Sequence, residues 1–254
     1  MKLDHPAERL LKSYGITEPC EIDLDAIAFD LGVKIRIRKL KGCEAKIIGL
    51  NDRAIISLNQ NGSQERRRFS LAHELGHWHY HRGQRLDCRV NDYQPNQKKY
   101  AERLADEYAA SLLMPRYLFN PLACQFQKPT IKTIESLQGV FHSSFTATAI
   151  RLADANLWPL IIICHGLHGR KWFHRSPCVP KRWFPRDELD VESSAIDILF
   201  GDKASDSYAK RIGADAWFDR REAGAFEILE QTTMIGNAKA LSILTITDER
   251  MLED

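Results

Sequence analysis

The chain has 254 residues, 44% of them hydrophobic and 28% charged, a globular composition that excludes wholesale disorder and fibrous classes. Thirty-six basic residues stand against 34 acidic ones, a formal +2, which excludes a strongly cationic nucleic-acid binder while leaving room for a local basic patch. No apolar run approaches the roughly 20 residues of a membrane helix, and Met1 to Pro6 lack the apolar core of a signal peptide. The six cysteines are scattered without a CxxC pair and read as reduced thiols, so the expected location is the cytoplasm.

In chain order, helix signals cover Ala7 to Tyr14, ended by Gly15, and Asp23 to Leu31, ended by Gly32. The period then drops to two. Val33 to Arg38 alternates as a strand, and Ala45 to Leu50 with Ala54 to Leu58 forms a hairpin around Asn51-Asp52-Arg53. A long helix follows from the N-cap Ser63 to His81, closed by Gly83, then a helix from Lys98 to Leu113 stopped at Met114-Pro115. Helices at Thr130 to Gly139 and Ser143 to Ala155 complete the first half. The second half changes texture: a hairpin turns at Gly166 to Gly169, prolines recur at 177, 180 and 185, and one helix fits Val191 to Phe200. Two closing strands, Ala225 to Thr232 and Ala240 to Thr247, join through Gly236-Asn237. The fold class is α+β. It divides into a main domain over 1–125, a helical segment over 126–155 resembling a helix-turn-helix, and a smaller antiparallel α+β domain over 156–254.

Chemistry concentrates in His73-Glu74-Leu75-Gly76-His77. Histidines at i and i+4 share one helical face, close enough for both imidazoles to hold one metal ion. Glu74 projects about 100° away, where a carboxylate can take a proton from a metal-activated water. Phe69, Ala72, Gly76 and Tyr80 line one face while Leu71, Leu75 and Trp78 line another, so the helix is apolar on two sides and mostly buried. Buried histidines and a buried glutamate need partners, and a metal supplies them. A third ligand is expected from the next helix, which offers Glu102, Asp106 and Glu107. Glu102 borders the apolar face of Ala101, Leu104, Ala105, Tyr108, Ala109 and Leu112; Glu107 points nearly opposite, as a surface charge, and Asp106 lies between.

The segment Arg67-Arg68-Phe69-Ser70-Leu71-Ala72-His73-Glu74-Leu75-Gly76-His77, followed by Ala101-Glu102-Arg103-Leu104-Ala105-Asp106-Glu107-Tyr108-Ala109-Ala110-Ser111-Leu112-Leu113-Met114-Pro115, resembles the ImmA/IrrE metallo-endopeptidases. The resemblance covers roughly residues 5 to 155 and places the family's third metal ligand at Glu102. It implies a zincin-like fold for the main domain and a zinc-dependent endopeptidase, with His73, His77 and Glu102 on the metal and Glu74 as the catalytic base. The native metal is zinc or, as the alternative, manganese. The implied substrate is a helix-turn-helix repressor, whose cleavage releases its target genes. The rival class is a non-proteolytic regulator in which a structural metal site supports binding to a repressor or to DNA. Glu74 argues against it, because a purely structural site needs no base.

Lesser candidates surround this centre. His81 can orient a ligand, and Tyr80, Tyr93 and Tyr100 are candidate donors to an oxyanion. Cys164, His165, His168, His174 and Cys178 have metal-binding chemistry, but their spacing fits no common zinc module. Thr130 to Leu152 holds only Lys132 and Arg151 as basic residues, so direct DNA binding by those helices is not favoured. Arg170 to Arg175 and Lys181 to Phe184 are the better nucleic-acid candidates, although a solvated sheet edge accounts for them more simply. The strand at Ile55 to Asn59 is a candidate for pairing with an extended substrate. No membrane partner is expected.

Overall fold

The computed structural model describes residues 4–82, 86–87, 95–201, 207–236 and 238–253, with the side chains of 86–87 and 95–99 outside that description. Gly83, Cys88, Tyr93 and Asn237, raised by the sequence, lie outside the described residues. Chain contacts define two units, Met1–Pro121 with Gln138–Ser144, and Leu122–Leu137 with Phe145–Asp254.

In the first unit, helix α1 (Pro6–Ser13) opens on proline, and α2 (Leu24–Asp30) is capped by Asp23, whose carboxylate accepts from the N–H groups of Asp25 and Ala26. Gly32 follows α2 at a φ of 76°, the left-handed geometry that ends helices. Strands β1 (Val33–Arg38), β2 (Ala45–Leu50), β3 (Arg53–Asn59) and β4 (Leu86–Asp87) form one sheet in the order β1-β3-β2-β4. The expected β2–β3 hairpin is present, with Ile47 opposite Ile56, and β1 joins it parallel to β3, with Ile35 opposite Ile56. β3 is therefore interior, hydrogen-bonded on both sides. It cannot accept an added strand, which overturns the expectation that Ile55 to Asn59 pairs with substrate.

Helix α3 (Gln64–His81) starts where Ser63 Oγ accepts from the Arg66 N–H. Trp78 anchors it beneath the sheet: the indole is fully buried, Nε1–H donates to the Leu31 carbonyl at 3.0 Å, and a Cβ on Gly49 would collide with its ring. Only glycine lets β2 approach the ring this closely. Because side chains alternate along a strand, α3 covers the face carrying Ile47, Gly49, Ala54, Ile56 and Leu58. The opposite face carries Lys34, Arg36, Arg38, Lys46, Ile48, Ile55 and Ser57.

Helix α4 (Pro95–Leu113) packs along α3 and buries Ala105, Tyr108, Ala109 and Leu112. It begins three residues earlier than the sequence signals. Helix α5 (Arg116–Ala123) was not expected: the sequence signals stop a helix at Met114-Pro115 and start the next at Thr130. Pro115 instead sits just ahead of the first turn, its carbonyl accepting from Leu118 and Phe119, and Pro121 is accommodated inside the short helix. The two helices expected next are α6 (Ile131–Phe141) and α7 (Phe145–Asp154).

The second unit is built on β5 (Leu160–Gly166), β6 (Gly169–Arg175), β7 (Lys210–Gly213), β8 (Glu227–Met234) and β9 (Lys239–Ile246), antiparallel throughout in the order β6-β5-β9-β8-β7. β7 was not expected. Helix α7 packs against β5 and β6, and α8 (Ser194–Phe200) against β8 and β9. Trp183, Trp217, Phe218, Ile228, Leu244 and Met251 form much of its core. Within it Glu230 is fully buried: its carboxylate accepts from Ser193 Oγ, the Ser194 N–H, Thr232 Oγ1 and Trp217 Nε1 at 2.8–3.1 Å. An acid survives there because donors surround both oxygens. The architecture is the α+β one expected, a zincin-like domain with a C-terminal antiparallel sheet.

Candidate metal centre

His73 and His77 face the same way from consecutive turns of α3, and Glu102 meets them from α4. His73 Nε2 lies 3.1 Å from His77 Nε2 and 3.3 Å from Glu102 Oε2, and His77 Nε2 lies 3.5 Å from Glu102 Oε1. The side chains are 18%, 11% and 48% exposed in that order. Among the described residues this is the one cluster of three His, Cys, Asp or Glu side chains with converging ligand atoms. Ligands held tetrahedrally at about 2.0–2.2 Å from zinc stand roughly 3.3–3.6 Å apart. The observed triangle is close to that size and its donors are two imidazole nitrogens and a carboxylate, so the residues fit such an ion.

Asp106, one turn beyond Glu102, reaches across to His73: its Oδ1 lies 2.8 Å from Nδ1. That hydrogen bond fixes the proton on Nδ1 and leaves the Nε2 lone pair for the cluster. Burial works to lower the His73 pKa, but the hydrogen bond and charge of Asp106, with the charges of Glu74 and Glu102, raise it overall. Burial and the neighbouring His73 lower that of His77. Glu107 instead ion-pairs with Arg103 one turn away on α4, at 3.7 Å.

Glu74 is buried, and its Oε2 has no hydrogen-bond partner. Burial drives its carboxyl up to about 7, with Glu102 adding to the rise and His73 opposing it. A carboxyl poised near neutrality can both take and give a proton. Gly76 sets the approach of the helices, since a Cβ there would lie 2.9 Å from Ala105 Cα and 3.1 Å from Ala105 O.

Of the lesser candidates, His81 stacks on His77 with ring centroids 6.0 Å apart. Tyr80 packs edge-on against His79 and Tyr108, and Tyr100 is exposed beneath the Arg103 guanidinium. Cys164, His165, His168, His174 and Cys178 are not brought together: Cys164 and His165 are successive residues of β5, and His174 Nε2 is held 2.7 Å from Asp154 Oδ1. Arg151 is buried, leaving Lys132 as the exposed cation of α6 and α7. The sequence reading missed the Asp106–His73 bond; the acid four residues after Glu102 was visible, but not its reach between helices.

A helix bearing two histidines and an intervening glutamate, with a carboxylate opposed from the next helix, is the arrangement of a zincin-like metal site. Residues 28–153 match the profile of the IrrE N-terminal-like domain, the M78 peptidase group, and the chain belongs to that family. Among curated proteins no sequence matches. Among solved structures, a Mycobacterium tuberculosis transcriptional regulator is similar with a TM-score of 0.63 at 13% identity, over 97% of this chain and 77% of that one. At that identity the likeness concerns the fold.

Proposed function

We propose that this protein is a cytoplasmic zinc-dependent endopeptidase that cleaves a helix-turn-helix repressor, with His73, His77 and Glu102 as metal ligands and Glu74 as proton carrier. The observation carrying the proposal is the donor triangle of 3.1, 3.3 and 3.5 Å beside a buried glutamate with an open oxygen. Family membership supports a metallopeptidase-like regulator of repressors. Among the described residues no helix is long and apolar enough to cross a membrane. Residues 1–125 form the peptidase domain on this proposal, 126–155 a helical segment, and 156–254 a domain for a signal or partner.

Zinc, when bound, polarises a carbonyl and lowers the pKa of a water to about 7. The chain's own groups do the rest. Asp106 locks the His73 tautomer, and His77, held below its usual pKa by burial, is neutral as a ligand must be. Glu74 takes the proton of the attacking water, then returns it to the leaving amine. Its pKa near 7 suits both transfers.

The test incubates zinc-loaded protein with candidate helix-turn-helix repressors, starting with any encoded beside it, and identifies fragments by mass spectrometry. Glu74→Gln keeps side-chain volume and ligands, so it should bind zinc and repressor normally while cutting about 10²- to 10⁴-fold more slowly. Repressor left intact by the wild type, with target genes fully derepressed by Glu74→Gln, would establish the non-proteolytic regulator instead.

A further inference from the structure

We infer that the outer face of the first unit's sheet, opposite α3, is a docking surface for the sugar–phosphate backbone of a nucleic-acid duplex. The inference stands independently of the metal centre. Residues 33–50 hold six cations, Lys34, Arg36, Arg38, Lys39, Lys41 and Lys46, against one acid, Glu44. The strand register gathers four of them on one surface. Lys34 lies in a row with Ile55 and Ile48, Arg36 shares the next row with Ser57 and Lys46, and Arg38 stands beside Asn59. Along β1 the cations repeat about every 6.7 Å, and Lys46 lies about 9.6 Å from Arg36, two strand spacings away. Lys34, Arg36 and Arg38 are exposed, as are Lys39 and Lys41 in the following loop.

Among the described residues, none of these six cations has an ion pair, while Glu44 is engaged by Arg66 at 3.9 Å. The arginines favoured by the sequence contrast with them. Arg170 donates to the carbonyls of Pro185 and Arg186 and lies over Phe173 and Phe184. Arg175 donates to Pro180 O, and Arg182 to Met251 O. Those guanidiniums are used in holding the second unit together, whereas the charges on β1 and β2 are uncommitted.

The chemistry of the face selects its partner. Cations spread over two strands with no acid between them complement a polyanion. The rest of the face carries Ile48, Leu50, Arg53, Ile55, Ser57 and Asn59, with Asp87 of β4 in register beyond Ile48 on the side away from β1, and no aromatic residue among these offers the stacking platform a single strand uses. A duplex presents its phosphates without needing one. Charge that merely protects an edge strand against aggregation requires neither a single sign nor a lysine on β2, which is not the edge.

The test measures anisotropy of a labelled 20-base-pair DNA duplex of arbitrary sequence with the full chain at several salt concentrations. Four phosphate contacts give a slope of about −3.6 in log K against log salt, so affinity should fall about 10²-fold from 50 to 200 mM. Neutralising Lys34, Arg36, Arg38 and Lys46 to Gln together should abolish the slope. Neutralising the exposed Lys128, Lys132, Lys171 and Lys181 to Gln, an equal change in net charge, should preserve it. Circular dichroism checks the folding of both variants, and if the first misfolds, Arg36→Gln alone should flatten the slope by about 0.9. Salt-insensitive binding or none by the wild type, equal losses in the two variants, or preferential binding of polyglutamate over the duplex would each overturn the inference.

Discussion

Replacing Gly76 by alanine adds one methyl group at the closest approach of α3 and α4. That Cβ would lie 2.9 Å from Ala105 Cα and 3.1 Å from both Ala105 O and Tyr108 Cβ. Carbon pairs rest at about 3.5–4.0 Å, so the shortfall is about 0.6–1.1 Å. The atoms met first are backbone, and relief requires α4 to retreat rather than a side chain to swing. Glu102 lies one turn from Ala105 and would move with it. Metal sites tolerate about 0.2 Å in ligand distance, so this displacement should weaken zinc binding at least about 10-fold. Stability should respond less: overpacking costs about 1–3 kcal/mol, and removing a mid-helix glycine returns about 1 kcal/mol. Competition against a zinc-chelating dye, with thermal melts of the metal-free proteins, separates the two effects. A Gly76→Ala protein matching wild-type zinc affinity would refute the claim that helix spacing sets the site.

Asp106→Asn preserves volume but cannot hold the Nδ1 proton as a carboxylate does, so zinc affinity should fall about 10- to 100-fold by the same competition, and unchanged affinity would deny Asp106 its orienting role. Glu230→Ala strips acceptors from Ser193, Ser194 and Trp217 in the core and should cost about 3 kcal/mol or more, read from urea midpoints; a loss below about 1 kcal/mol would contradict the network. Burial, then the charge of Arg170, holds His165 below the usual histidine pKa. As pH falls through about 6.5 the unfolded chain binds that proton first, so its contribution is intact at higher pH and is lost on acidification, by at most about 1.4 kcal/mol per pH unit. Urea midpoints of wild type and His165→Gln at pH 8 and 5.5 should therefore converge at the lower pH; a constant gap would contradict it.

The helix bearing His73 and His77 was legible because its signals are local: Ser63 caps it, and histidines four apart share a face whatever surrounds them. Glu102 was legible for the same reason, from one helical wheel. Asp106 was not, since its role depends on the approach of a second helix that no wheel describes. The parallel pairing of β1 with β3 passes over the intervening strand β2, and alternation within β1 carries no trace of its neighbour. Whole-chain charge hid the basic sheet face by averaging it with acids elsewhere. Glu230 shares the inward side of β8 with Ile228 and Thr232, where alternation predicts an apolar residue; its partners Trp217 and Ser193 lie 13 and 37 positions away.

Between Glu102 and Asp106, α4 carries a carboxylate facing two histidines, the alanine that receives Gly76, and the acid that orients His73. Inserting a single residue there would turn everything beyond it by about 100° and advance it by about 1.5 Å. All three contacts cannot then be restored together, because each is made to a fixed point on α3. Lineages carrying this site can vary it by substitution, but changes of chain length must fall outside that turn.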